Sequence, residues 1–274
     1  MTVNRVVSVY YSATGCTAKV SSEVAGRLAS SIGVPLDTAD VSMPVSRSTG
    51  LRFGPEDLVV LSSPTYRGRL PAVIVDFFRD SVRGDGTNAV AVVTFGNRCF
   101  DNSLAEMVAI LRGNGFLPIA GAAFSCRHAY TDRLGTGRPD EADLADARAF
   151  VDRVAAMASG DTSGTLDVPG SADAPYFTPV GLDGMPVDFQ SAKPVTDMGR
   201  CVSCGRCADL CPLGSVDRYD FFEVVGRCFK CQACVRGCPV GAKSFEDPGL
   251  ISHTAQLERD FADRKENSFF FARG

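Results

Sequence analysis

Cys201-Val-Ser-Cys204-Gly-Arg-Cys207-Ala-Asp-Leu-Cys211-Pro212-Leu-Gly214 decides the fold of the C-terminal quarter of this chain, because it is written twice. Cys228, Cys231, Cys234 and Cys238 repeat the four cysteines, Pro239 and Gly241 repeat Pro212 and Gly214, and every offset is 27. Each copy reads C-x2-C-x2-C-x3-C-P-x-G. Cysteines at two-residue gaps place three thiolates around one tight loop, and a fourth thiolate has to come from farther away. Each proline stops a regular ladder or helix past its cysteine, and each glycine permits a turn with positive φ. Of eleven cysteines, only Cys16, Cys99 and Cys126 lie outside this region. A disulfide scaffold would be small and secreted. A chain of 274 residues whose start, Met1-Thr-Val-Asn-Arg-Val-Val, enters a strand pattern with no signal-peptide core reads instead as cytoplasmic and metal-binding. Two four-cysteine zinc sites are the competing reading, but zinc has no use for the third cysteine at the same gap followed by C-P.

Over residues 197–247 the pattern resembles bacterial-type ferredoxins with two [4Fe-4S] clusters. The resemblance implies that each cluster takes its fourth ligand from the other repeat. Cys201, Cys204, Cys207 and Cys238 would hold cluster 1, and Cys228, Cys231, Cys234 and Cys211 cluster 2. Seven Arg and Lys stand against four Asp and Glu in residues 200–243. That positive balance favours the reduced cluster and is expected to raise its potential above that of an acidic ferredoxin; solvated charges would do little.

Residues 1–158 alternate strand and helix. The apolar runs Val3–Tyr10, Asp57–Ser62, Ala89–Thr94 and Phe116–Phe124 predict strands, with a weaker one at Pro35–Val41. Helical spacing predicts helices at Thr17–Ser30, Ala72–Ser81, Ser103–Arg112 and Glu141–Ala158. Strands alternating with helices predict an α/β fold with a five-stranded parallel sheet covered on both faces, whose ligands bind beyond the C-terminal strand ends. Three loops there are unusual. Ser12-Ala-Thr14-Gly15-Cys16-Thr17 gathers hydroxyls and amides at a helix N-terminus, an anion site. Ser63-Pro64-Thr65-Tyr66-Arg67-Gly68-Arg69 and Thr94-Phe95-Gly96-Asn97-Arg98-Cys99-Phe100-Asp101-Asn102 mix aromatics with amide-bearing groups, which suits a flat polar ring. No P-loop or G-x-G-x-x-G fingerprint occurs.

The order and position of these loops resemble flavodoxin, with a doubly wound sheet of order 2-1-3-4-5 and FMN at its switch point. The family's T-G-N-T becomes Thr14-Gly15-Cys16-Thr17 here. The resemblance implies that Ser12, Thr14, Gly15, Cys16 and Thr17 form the phosphate loop, that Tyr66 and Phe100 flank the ring, and that Gly96, Asn97 and Asp101 line its edge. Pro64, Thr65, Gly68, Thr94 and Phe95 complete the FMN loops. Cys16 at a helix N-terminus is a candidate redox-sensitive thiol, against a buried inert one. His128 is a candidate proton donor to reduced flavin or substrate, against a structural role. Over nearly the whole chain the sequence resembles flavodoxin–ferredoxin fusion proteins, with residues 1–158 as the FMN domain, 159–194 as a Gly/Pro-rich linker, 195–247 as a small α+β two-cluster ferredoxin domain and 248–274 as a tail. The tail's Phe269-Phe270-Phe271 is expected to dock on a domain surface; a partner site or dimer contact is the alternative.

Such a fusion implies electron transfer between two [4Fe-4S] clusters, FMN and a redox protein such as a ferredoxin or a reductase, in anaerobic metabolism. The rival is an FMN-dependent reductase of a small organic substrate or quinone, with Arg67, Arg69, Arg98, Arg127 and His128 around an anionic substrate; a redox sensor is a third reading. A net charge of −4 argues against nucleic acid, and no apolar run approaches the ~20 residues of a membrane helix.

Overall fold

The computed structural model describes residues 3–158 and 164–273. The first part contains β1 (Arg5–Tyr10), α1 (Cys16–Ile32), β2 (Leu36–Asp40), β3 (Leu51–Phe53), β4 (Asp57–Pro64), α2 (Val75–Ser81), β5 (Val82–Gly84), β6 (Thr87–Phe95), α3 (Ser103–Gly113), β7 (Phe116–Ser125) and α4 (Glu141–Ala158). The second adds β8 (Val195–Thr196), α5 (Arg206–Asp209), α6 (Ala233–Arg236), β9 (Lys243–Ser244), α7 (Pro248–Asp260) and β10 (Ser268–Phe271). The five long strands pair in parallel in the order β2-β1-β4-β6-β7, which is 2-1-3-4-5 along the chain. Every residue of β6 is buried, as a parallel strand covered on both faces requires. On one face Val20, Val24 and Leu28 of α1 meet Phe150, Val151 and Val154 of α4. On the other lie Phe78 of α2 and Leu104, Met107 and Leu111 of α3.

The sheet has a sixth strand that the sequence pattern does not predict. The aromatic run of the tail does not dock on a face; it pairs antiparallel to β7, Phe269 opposite Ala122 and Phe270 opposite Gly121. The period of two sends Phe269 onto Phe150, ring centroids 5.2 Å apart, and Phe270 toward Phe100 at 6.4 Å. The edge of β7 is thereby covered, and the short β10 becomes the edge strand. The short pair β3–β5 is also new: three residues each leave no readable period. The tail holds a helix as well. The Asp247 carboxylate accepts the Leu250 N–H at 2.9 Å and Pro248 takes the first turn of α7, a standard start signal.

Of the expected linker, residues 159–163 lie outside the described residues. Its later part straps the sheet's C-terminal rim: Arg67 Nε donates to the Phe177 carbonyl (2.8 Å) and Tyr176 Oη to that of Leu70 (2.9 Å). The cysteine-rich module keeps the internal repeat in its backbone. α5 and α6 are 27 residues apart, and Ser203 (φ 52) and Gly205 (φ 72) are matched by Lys230 (φ 53) and Gln232 (φ 67).

A buried polar knot holds the tail. Arg138 donates to both Asp143 oxygens (3.0 and 2.5 Å). Asn267 donates to Asp143 (3.0 Å) and accepts the Ser125 N–H (3.0 Å) at the end of β7. Asp143→Asn would leave the Arg138 charge buried and unpaired. The expected cost is about 3 kcal/mol, read by urea titration, with faster amide exchange in residues 268–271; wild-type stability would contradict it.

Candidate cofactor cavity and cysteine quartets

The loops at the C-terminal ends of β1, β4, β6 and β7 open into one cavity of about 780 Å3, roofed by the strap, α7 and the cysteine-rich module. Thr14, Cys16, Thr17, Pro64, Thr65, Tyr66, Gly68, Thr94, Phe95, Gly96 and His128 all line it. Gly15, at φ 91, turns the chain into α1. The amides of Thr14, Gly15, Cys16 and Thr17 have no partner among the described residues. These free N–H groups at the positive end of a 17-residue helix make an anion cradle. Gly96 is needed for close approach, since a Cβ there would lie 2.9 Å from the His128 Cα.

Five expected residues are engaged elsewhere. The Ser12 hydroxyl accepts the Ala18 N–H (3.1 Å). Asn97, fully buried, donates to the Phe261 and Asp263 carbonyls (2.9 and 3.0 Å) and accepts from Lys265 N (3.2 Å), so it fastens the tail. Phe100 packs between Phe95 and Phe270. Asp101 pairs with Arg98. Arg69 is clamped by Glu106 at 2.5 Å and by the Ala172 and Ala174 carbonyls, outside the cavity. In their place the cavity has Tyr130, Phe177, Phe189 and Phe229. Among the unforeseen lining residues, His253 and Leu257 share a helical spacing with Leu250, whereas Tyr130, Phe177 and Phe189 arrive from segments without periodicity.

Arg67, Arg98, Arg127, Lys193, Arg227 and Lys230 line the cavity, and no Asp or Glu among the described residues does. Both histidines of the chain face it. Burial first, then the neighbouring His253, Arg98 and Arg236, lowers the His128 pKa to about 4. Its Nδ1 accepts the Tyr130 N–H (3.1 Å), which assigns the proton to Nε2. His128 is thus held neutral near neutral pH, with its proton on Nε2. His253, likewise pushed down by burial, donates Nδ1–H to the Val180 carbonyl (2.8 Å). Burial pushes the Tyr66 and Tyr130 phenols up, so both stay protonated.

The eight clustered cysteines fall into two quartets, each around its own small cavity. One cavity is lined by Cys201, Cys204, Cys207 and Cys238, the other by Cys211, Cys228, Cys231 and Cys234. Backbone amides point at the sulfurs in repeat-related pairs. Ser203 N donates to Cys201 (3.4 Å) as Lys230 N does to Cys228 (3.4 Å). Ser215 N donates to Cys211 (3.3 Å) as Ala242 N does to Cys238 (3.1 Å). N–H groups aimed at sulfur stabilise thiolate. Among the described residues, no three His, Cys, Asp or Glu side chains converge as the ligands of a single ion. Lys230 and Lys243 are both buried: Lys243 bonds to the Phe221 carbonyl inside the module, and Lys230 to the carbonyls of Cys228 and of Gln190 in the strap.

Residues 194–217 match the 4Fe-4S binding domain family, so the chain carries a 4Fe-4S binding module. No curated protein matches the sequence. Among solved structures, the chain is similar to a flavodoxin from the domain Archaea (12% identity, 57% of this chain and 99% of that one, TM-score 0.43). It is also similar to the flavodoxin of Streptococcus pneumonia TIGR4 (18% identity, 56% and 99%, TM-score 0.39). A third is the rubredoxin oxygen:oxidoreductase of the anaerobe Desulfovibrio gigas (19% identity, 58% and 37%, TM-score 0.34). The fold itself is read from the strand order of the sheet.

Because the folded state holds His128 near 4 against the usual 6.5, the unfolded chain binds more protons between those values. Stability is therefore expected to fall as pH drops through that window. His128→Gln should flatten the fall, read by urea titrations of the anaerobic protein between about pH 7 and about pH 4.5; an unchanged slope would count against the assignment.

Proposed function

We propose that the protein is an iron–sulfur flavoprotein that carries electrons between two [4Fe-4S] clusters, FMN and an external redox protein in anaerobic metabolism. One observation supports this above the others: Arg227, Cys228 and Phe229 line both the large cavity and the quartet of Cys211, Cys228, Cys231 and Cys234. That inner quartet is next to any ring in the cavity. The outer quartet shares no lining residue with it, and its Cys204 and Val202 are exposed, open to a partner such as a ferredoxin or a reductase. When bound, FMN supplies one- and two-electron exchange, and each cluster passes one electron at a time.

The protein's own groups have simple tasks. The free amides of Thr14–Thr17, with the Thr14 hydroxyl, would hold the phosphate, while the Thr17 hydroxyl bonds to that of Thr94 (2.7 Å). Tyr66, Tyr130 and Phe177 offer flat apolar surface and exclude water. His128 presents Nε2–H to a ring edge, and amides directed at the thiolates stabilise their charge. The cationic lining without carboxylates also favours a second reading, an FMN-dependent reductase of a small anionic substrate. Turnover with a small acceptor and none with protein partners would select it.

Protein purified without oxygen should contain about eight irons and one FMN per chain. Cys231→Ser should halve the iron and abolish reduction of the flavin by a reduced ferredoxin. Zinc in place of iron, or flavin reduction unchanged in that variant, would contradict the proposal.

A further inference from the structure

We propose that Arg227 is a shared counter-charge: one guanidinium that stabilises an added electron both at the inner quartet and in the large cavity. This role rests on the cluster and flavin reading above. The 27-residue repeat begins before its cysteines, since Gly199-Arg200-Cys201 recurs as Gly226-Arg227-Cys228. The two arginines therefore hold equivalent places, each one residue ahead of the first thiolate of its run.

The structure uses them differently. Arg200 Nη2 donates to the Val240 carbonyl in the other repeat (2.7 Å), and Arg200 lines neither the outer quartet's cavity nor the large one. The residue equivalent to Val240 is Leu213, and Arg227 does not bond to it. Among the described residues Arg227 makes no hydrogen bond and no ion pair. Its guanidinium instead lies over the Phe229 ring, 5.5 Å from the centroid. Val202 stands at the place of Phe229 in the first repeat, so Arg200 has no such ring to lie on.

Arg227 lines both the large cavity and the cavity of the inner quartet. Cysteines apart, it is the only ionisable residue among the described residues around the inner quartet. The other cations of the large cavity are committed: Arg67 to the Phe177 carbonyl, Arg98 to Asp101, Arg127 to Asp132, Lys193 to the Val224 carbonyl, and Lys230 to the Cys228 and Gln190 carbonyls. Arg227 is left with its charge unassigned, on the wall between the two sites. An electron placed on either side of that wall adds one negative charge, and a cation beside both places lowers its energy. The guanidinium stays protonated throughout, so no proton has to move with the electron.

The test is anaerobic potentiometry of the holoprotein at low ionic strength, with the clusters followed by electron paramagnetic resonance and the flavin by visible absorbance. The inner cluster's signal is the one lost in Cys231→Ser. Arg227 is exposed, so Arg227→Gln should keep its iron and flavin. It should make reduction of the inner cluster about tenfold less favourable, a fall of about 59 mV for one electron. The flavin potential should fall with it and the outer cluster's should not move. Arg227→Lys should restore most of the loss, and added salt should shrink it. Arg200→Gln should shift none of the three. An unchanged inner potential in Arg227→Gln, an equal shift at both clusters, or a loss that lysine does not restore would overturn the proposal. A fall at the inner cluster with the flavin unmoved would overturn the shared role. Wild-type protein without reducible clusters or without flavin would instead refute the reading on which the role rests, and the role with it.

Discussion

One short piece of chain, Arg227-Cys228-Phe229, forms the wall between the inner cysteine quartet and the large cavity, and the rest of the molecule keeps it in place. Electron transfer weakens steeply with distance, so a shared wall matters more than any single contact. It is fastened from several sides. Arg236 of α6 donates to the Ala129 carbonyl (3.0 Å) and pairs with Asp132 (2.6 Å) in the loop that carries His128. Arg47, beyond β2, donates to the Pro212 carbonyl (2.6 Å), one residue past Cys211. Lys193 ties the strap to the Val224 carbonyl (2.6 Å).

The tail serves the same end. α7 supplies His253 and Leu257 to the lining, and the chain then returns through the Asn97 carbonyl contacts to become the edge strand of the sheet. Module, strap and tail thus converge on the rim where the parallel sheet leaves its loops. The binding crevice of an open α/β sheet thereby gains a partial roof.

Much of this is legible in the sequence, for definable reasons. Four of the five long strands are apolar runs because both sheet faces are covered there, while the exposed edge strand β2 gives a weaker signal; the cysteine repeat is visible because its ligand spacing is rigid. The cradle is visible because a helix start needs particular residues. What escapes is long-range. Nothing near Asn97, Phe100 or Asp101 announces that the tail and Arg98 will occupy them. Local loop chemistry therefore assigns all three to the cavity, whose lining does not include them. Tyr130, Phe177 and Arg227 reach the cavity from segments without period, and β10 finds its partner strand far back in the chain.

The most direct measurement is an anomalous-scattering map at the iron edge from anaerobically grown crystals of the holoprotein. The account predicts two four-iron clusters, each bridging both repeats, with the one on Cys211, Cys228, Cys231 and Cys234 nearer to a flavin in the cavity. Single zinc peaks in the quartets, or a flavin bound away from the Arg227–Phe229 wall, would contradict it.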